Sequence, residues 1–137
     1  FSGLLDFAGL FYLIFDLSPG ISNLEKSILS VMDEVVGVLS AEFFSLDGLE
    51  IFESELNKLR KDRRATFIAD KIIINRVNRA YTLHRSYLEE IEKLKYQTFT
   101  IGQSTGFSDS VPAHLSLIDY DPQNKYIPEL NKIAEVI

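Results

Sequence analysis

Apolar residues recur at alternating intervals of three and four through the middle of this chain, and no Gly or Pro interrupts the stretch from Leu49 to Ile101. Such spacing returns one face of a helix every 3.5 residues, as coiled coils and helical bundles require. We therefore predict a helical heptad seam over residues 49–94. Its positions are Leu49, Phe52, Leu56, Leu59, Arg63, Thr66, Asp70, Ile73, Val77, Ala80, His84, Tyr87, Ile91 and Leu94.

A single helix over this seam would be too long for a compact monomer. It would extend roughly 70 Å at about 1.5 Å per residue, whereas a compact domain of 137 residues is about 35–40 Å across. Either the helix projects into a partner, or it breaks near residues 61–65 and folds into a hairpin.

If the helix projects, the seam forms an interface between subunits. In an antiparallel pairing centred near residues 66–67, Arg63 of one copy would face Asp70 of the other, and polar seam residues of this kind select register and partner. The predicted interface residues are Leu49, Phe52, Leu56, Leu59, Arg63, Asp70, Ile73, Val77, Tyr87 and Ile91.

Two further elements are predicted before the seam. The apolar segment Leu4–Leu17 is expected to be a buried helix or strand, the alternative being a membrane-contacting or partner-inserted segment. It is shorter than the roughly 18–20 residues of a membrane span and contains two Asp residues, so we do not expect a transmembrane protein. Ser22 and Glu25 then form a capping-box pattern, which predicts a helix running to about Phe44.

The pattern changes after Tyr96, where Gln97–Ile101 alternates with period two and predicts a strand. His114–Tyr120 is a second possible strand, and Pro128 suits the start of a closing helix over Glu129–Ile137. The predicted fold class is mainly α: a helical bundle, or a coiled-coil-like long helix or helical hairpin, over residues 1–96, with a small mixed α/β tail over residues 97–137. The two parts are expected to form a single domain.

Charge is segregated along the chain. The net charge is −6, yet residues 58–88 are basic while the segments on either side are acidic. If residues 58–85 are helical, one basic face lies roughly opposite the seam and contains Arg60, Lys61, Arg64, Lys71 and Arg79. This face could contact nucleic acid or anionic lipid, or it could be a solvated surface or a docking surface for acidic protein segments.

Candidate chemistry is sparse. The chain has no Cys and two His, and it lacks a metal-ligand, phosphate-loop or nucleophile-elbow motif. His84 lies between Tyr81 and Tyr87 on the seam, where a packed, hydrogen-bonded histidine is a better interpretation than a metal ligand. We therefore expect no catalytic residue, no metal and no cofactor.

These observations favour a non-enzymatic assembly or interaction protein, a helical subunit of a homo-oligomer or larger complex with protein partners. The alternative is a binding module that contacts nucleic acid or anionic lipid through the basic helix face at 58–85. The sequence does not indicate a cellular compartment.

Overall fold

A computed structural model describes residues 12–18, 20, 22–41, 46–63 and 65–137, with the backbone alone for residues 46–48 and 63. Helices and strands alternate through most of this part of the chain. The helices are α1 (Asn23–Leu29), α2 (Leu46–Arg63), α3 (Thr82–Ile91), α4 (Thr105–Ser110), α5 (Leu117–Tyr120) and α6 (Ile127–Val136). The strands are β1 (Glu34–Ser40), β2 (Ile68–Val77) and β3 (Gln97–Gly102).

The strands form one parallel sheet in the order β1-β2-β3. Each connection between neighbouring strands contains a helix, α2 between the first two and α3 between the last two, as parallel pairing requires. The fold is therefore mixed α/β around a parallel sheet. The predicted mainly α class, with a helical bundle or coiled coil, is wrong.

The seam fails as one helix because its middle is polar and the residues that follow favour a strand. Between Leu59 and Ile73 its positions are the polar Arg63, Thr66 and Asp70, and the chain leaves helix α2 in this interval. Three consecutive Ile residues then occupy β2, where β-branched side chains are favoured. α2 ends at Arg63, within the predicted break, but a strand follows it rather than the second arm of a hairpin.

Two packed layers cover the sheet. Ile72 and Ile74 of β2 form a core cluster with Leu49 of α2 and with Leu88 and Ile91 of α3, so both crossover helices lie on one face. Ile73 points to the opposite face, because alternate residues of a strand point in opposite directions. On that face it packs with Phe99, Ile101, Phe107, Leu130, Ile133 and Val136, which come from β3, α4 and α6.

The region before β1 agrees with the sequence only at its cap. The Ser22–Glu25 capping box is confirmed: the Ser22 backbone N–H donates to Glu25 Oε2 at 3.0 Å, and the Ser18 hydroxyl donates to Glu25 Oε1 at 2.8 Å. The Ser22 hydroxyl also donates to Glu25 Oε2. Together these hydrogen bonds lower the pKa of Glu25 to about 2, and that of the Ser22 hydroxyl contributes most. However, the helix ends at Leu29 instead of continuing to Phe44, and Glu34–Ser40 is a strand.

The predictions for the C-terminal tail are mixed. The strand predicted at Gln97–Ile101 is present as β3, and the closing helix is present as α6, with Pro128 in its first turn. The second strand predicted over His114–Tyr120 is wrong, because Leu117–Tyr120 is the short helix α5.

The described part of the apolar N-terminal segment is not buried. Tyr12, Leu13, Ile14 and Phe15 are exposed and lie outside any helix or strand, and Ile14 is 79% exposed. Leu17 packs on the cluster of α1, α2 and the start of β2. Residues 4–11 lie outside the described residues. Among the residues described, no helix combines the length and apolarity needed to cross a membrane.

Candidate ligand-binding site

The carboxyl ends of β2 and β3 lie side by side. Val77 is paired with Gly102, and the Gln103 backbone N–H donates to the Val77 carbonyl at 3.1 Å. In open α/β sheets, ligands bind outside the carboxyl ends of the strands, typically where the strand order reverses, and the loops that follow adjacent strands meet at that same end. A ligand site is therefore expected at this edge of the sheet.

A cavity of about 890 Å³ opens beside this edge, on the side of the sheet covered by α4 and α6. Its volume is within the 300–1,000 Å³ typical of small-molecule sites. Its apolar lining consists of Ile73, Ile101, Phe107, Val111, Leu130 and Ile133. Its polar lining consists of Asn75, Arg76, Gln103, Ser104, Thr105 and Ser108. An apolar pocket with a few polar groups is the usual composition of a ligand site.

The backbone is irregular where β2 meets this cavity. The pairing of β2 with β3 shifts between Ile74 and Val77, and Arg76 adopts a left-handed backbone with φ of 59°. The Asn75 side chain supports this conformation, since its Oδ1 accepts from the Arg76 backbone N–H at 2.8 Å. A left-handed conformation is uncommon for a non-glycine residue, and such strain concentrates at binding sites.

Gly102 allows an aromatic side chain to approach the end of β3. A Cβ atom at this position would overlap Tyr126 Oη and lie 2.5 Å from Tyr126 Cζ. The Tyr126 ring also stacks on Phe107, with ring centroids 6.2 Å apart. The absence of a side chain at Gly102 therefore allows the Tyr126 ring to pack against the end of β3.

A second cavity of about 460 Å³ lies at the same edge, between the turn after β2 and the loop before α6. Arg79 and Lys125 line it, together with the neutral polar side chains of Asn78, Gln103 and Tyr126. Gly102 and Gln103 line both cavities.

His84 orders the turn between β2 and α3. Its ring is buried, its Nδ1 accepts from the Asn78 backbone N–H at 3.0 Å, and its ring packs edge-on against Tyr81 with centroids 5.2 Å apart. Because Nδ1 accepts, the ring proton of the neutral imidazole is on Nε2. The interpretation of His84 as a packed, hydrogen-bonded residue is confirmed. Within the described part of the chain, no cluster of His, Cys, Asp and Glu is suited to hold a metal ion.

Most of the predicted interface residues lie in this chain's own core. Leu49, Leu56, Leu59, Val77 and Ile91 are buried, and Phe52, Ile73 and Tyr87 are half-buried against the same clusters. Asp70 is exposed on β2, with Oδ1 at 3.3 Å from Lys71 Nζ. Arg63 ends α2, and its side chain lies outside the described residues. The antiparallel pairing of Arg63 with Asp70 assumed one continuous helix, which is wrong.

The predicted basic residues do not share one helix face. Arg60 and Lys61 lie on α2, Lys71 on β2 and Arg79 in the turn after β2, while Arg64 lies outside the described residues. Lys71 is ion-paired with Glu34. Arg60 packs over the Phe67 ring, with its Cζ 4.8 Å from the centroid, and donates to the Phe67 carbonyl at 3.3 Å.

Of the residues at the carboxyl edge, sequence reasoning singled out Arg79 alone, and it assigned Arg79 to a helix face rather than to the edge of a sheet. It missed Asn75, Arg76 and Gln103, because only the pairing of β2 with β3 brings Gln103 close to the other two. The available signal was a polar residue at the end of each strand-like segment. Asn75 follows the β-branched run Ile72–Ile74, and Gln103 follows the alternating segment Gln97–Gly102.

Comparison with known proteins gives a relative without an assigned activity. No family model matches the chain, and no solved structure matches it. The chain is similar to the uncharacterized protein BBD21 of Borreliella burgdorferi, with 32% identity over 133 residues, which is 97% of this chain and 54% of that protein. The chain thus spans about half the length of this relative, whose name assigns no activity.

Proposed function

We propose that this chain is a binding module that holds a nucleoside or nucleotide in the larger cavity at the carboxyl edge of the sheet. The observation that carries the proposal is the coincidence of an 890 Å³ cavity with the edge at which open α/β sheets bind ligands. The left-handed Arg76 at the same place is the second support.

The lining chemistry suits a planar heterocycle. Ile73, Ile101 and Ile133 offer apolar surface to a ring, and the amides of Asn75 and Gln103 offer both donors and acceptors at the rim. Asn and Gln amides are the side chains that pair with the edge of adenine. The Arg76 guanidinium is always positively charged and suits a negatively charged substituent of the same ligand.

Replacing Ser108 with Trp is expected to abolish this binding without unfolding the protein. Ser108 is an exposed residue of α4 that lines the cavity, so the larger side chain would occupy ligand space at little cost to the core. For the unmodified chain, a nucleotide at 100 times its Kd should stabilise the fold by about 2.7 kcal/mol. Melting curves with AMP, ATP and GTP measure this gain, which the variant should lose.

Ser86→Trp is the matched control, because Ser86 is exposed on α3 and does not line the cavity. It should keep the nucleotide-dependent rise in Tm. The proposal fails if none of the three nucleotides raises the Tm of the unmodified chain, or if Ser108→Trp and Ser86→Trp respond alike.

The second candidate function is assembly, in which the chain is a subunit of a homo-oligomer or larger complex. Its support is the exposure of Tyr12, Leu13, Ile14 and Phe15 in succession, because a contiguous apolar segment in water favours association. In addition, β1 has no neighbouring strand on its outer side within the described residues, and open strand edges pair readily with other chains.

Light scattering behind a sizing column tests the assembly function. We expect a mass above that of one 15.6 kDa chain, and we expect Ile14→Lys to lower it. Ile51→Lys, at a 65% exposed position of α2, should leave the mass unchanged. A monomeric mass for the unmodified chain at micromolar concentration would rule out self-assembly through this segment.

A further inference from the structure

The smaller cavity has the composition of an anion site. Arg79 and Lys125 bring two positive charges to it, and none of its lining residues is acidic. In the part of the chain that the structure describes, neither cation forms an ion pair, whereas several other lysines each have a carboxylate within 4 Å. These paired lysines are Lys26, Lys58, Lys71, Lys93 and Lys132.

Hydrogen bonds within the chain order the turn that contains Arg79. The Asn78 Oδ1 accepts from the Ala80 backbone N–H at 3.0 Å, and the Asn78 backbone N–H donates to buried His84. Across the cavity, Lys125 Nζ lies 5.0 Å from the centroid of the Tyr126 ring. A preorganised cavity loses less conformational entropy on binding than a mobile one.

The amino end of helix α3 is close in sequence to residues that line this cavity. The helix begins at Thr82, soon after the cavity-lining Ala80, and its N-cap Tyr81 makes no side-chain capping hydrogen bond. The first turn also contains no acidic residue. The positive end of the helix dipole is therefore not neutralised by the helix's own side chains.

We propose that the cavity between Asn78–Ala80 and Lys125–Tyr126 binds one phosphate group of a phosphorylated ligand. The Arg79 guanidinium supplies a planar fork for two phosphate oxygens, Lys125 supplies a point charge, and the Asn78 amide supplies a neutral donor. The phosphate could be free, part of a nucleotide, or part of a nucleic-acid backbone, since the three present the same oxygens. This site does not depend on what occupies the larger cavity.

Titration with inorganic phosphate at low ionic strength, followed by NMR chemical shifts, tests the site. We expect saturable binding, and we expect Arg79→Gln and Lys125→Gln each to weaken it about tenfold, as the loss of one charge-assisted hydrogen bond does. The matched controls are Arg85→Gln and Lys95→Gln, which remove the same charges at exposed positions outside the cavity. The controls should bind phosphate like the unmodified chain.

The proposal is overturned if phosphate binding is not saturable, or if the controls weaken it as much as the cavity variants do. Two further titrations identify the source of the phosphate. Tighter binding of AMP than of phosphate, lost in Arg79→Gln, indicates a small phosphorylated molecule. Binding of a short DNA duplex, with a salt dependence that falls by about one unit of slope in each cavity variant, indicates a nucleic-acid backbone. If a nucleotide still raises the Tm of Arg79→Gln and Lys125→Gln while neither variant binds phosphate, nucleotide binding in the larger cavity is independent of this phosphate site.

Discussion

Replacing Ile72 with alanine is expected to lower the free energy of unfolding by about 2–5 kcal/mol. Ile72 lies on the central strand β2 and is 0% exposed. It packs in the core cluster with side chains of α2 and α3, so truncation leaves a cavity that three elements would have to collapse to fill. Urea denaturation of the purified variant measures the change.

Ile68→Ala is the matched control, because Ile68 lies on the same strand and is 58% exposed. Its expected effect is within about 0.5 kcal/mol, as for an ordinary surface substitution. In a continuous heptad helix, Ile73 would be the seam residue and Ile72 would lie beside the seam. If Ile72→Ala and Ile68→Ala lower the free energy of unfolding equally, Ile72 is not a core residue, and the central position of β2 is contradicted.

Gly102→Ala is expected to destabilise the chain by about 1–3 kcal/mol, the usual range for overpacking. The added Cβ would overlap the end of the Tyr126 side chain, and the rigid ring cannot turn aside without losing its stack on Phe107. The variant should also bind ligand more weakly at both cavities, because Gly102 lines each of them.

A double-mutant cycle isolates this contact. Tyr126→Ala removes the ring that the new Cβ would meet, so Gly102→Ala should be much less destabilising in that background. Unfolding free energies of the four proteins give the coupling. If Gly102→Ala destabilises both backgrounds equally, the close approach of Tyr126 is not the reason for a glycine at the end of β3.

The sequence predicts local features of this fold better than its architecture. The capping box at Ser22, the strand β3 and the closing helix α6 each follow from residues close in sequence. The helix predicted from Ser22 to Phe44 fails because Val35, Val36 and Val38 are β-branched residues around Gly37, a composition that suits a strand. The capping pattern predicts where the helix begins but not where it ends, and Glu34–Ser40 forms a strand through its parallel pairing with β2.

The heptad seam fails for a related reason. Most of its apolar members pack in the core, whereas Ala80 is exposed. Leu49 and Ile91 reach one cluster from two different helices, together with Ile72 of β2. Helical spacing persists along α2 and α3 separately, and the register continues across β2 by coincidence. The polar centre of the seam at Arg63, Thr66 and Asp70 marks the change from helix to strand.

The candidate site was the least predictable part, because it depends on strand order. Asn75 and Gln103 are far apart in sequence and line one cavity only because β2 pairs with β3. Arg79 was singled out for its charge but assigned to a helix face. Its proximity to Lys125 depends on the loop before α6 returning to the edge of the sheet, which no local pattern specifies.

The most direct test of nucleotide binding at the carboxyl edge is a titration of the ¹⁵N-labelled chain with ATP, followed residue by residue in ¹H–¹⁵N NMR spectra. The predicted result is a saturable set of shifts confined to the ends of β2 and β3 and to α4, with Arg76, Gly102 and Gln103 among the largest. No saturable shift, or shifts centred on the exposed side of α2, would contradict a nucleotide site at this edge.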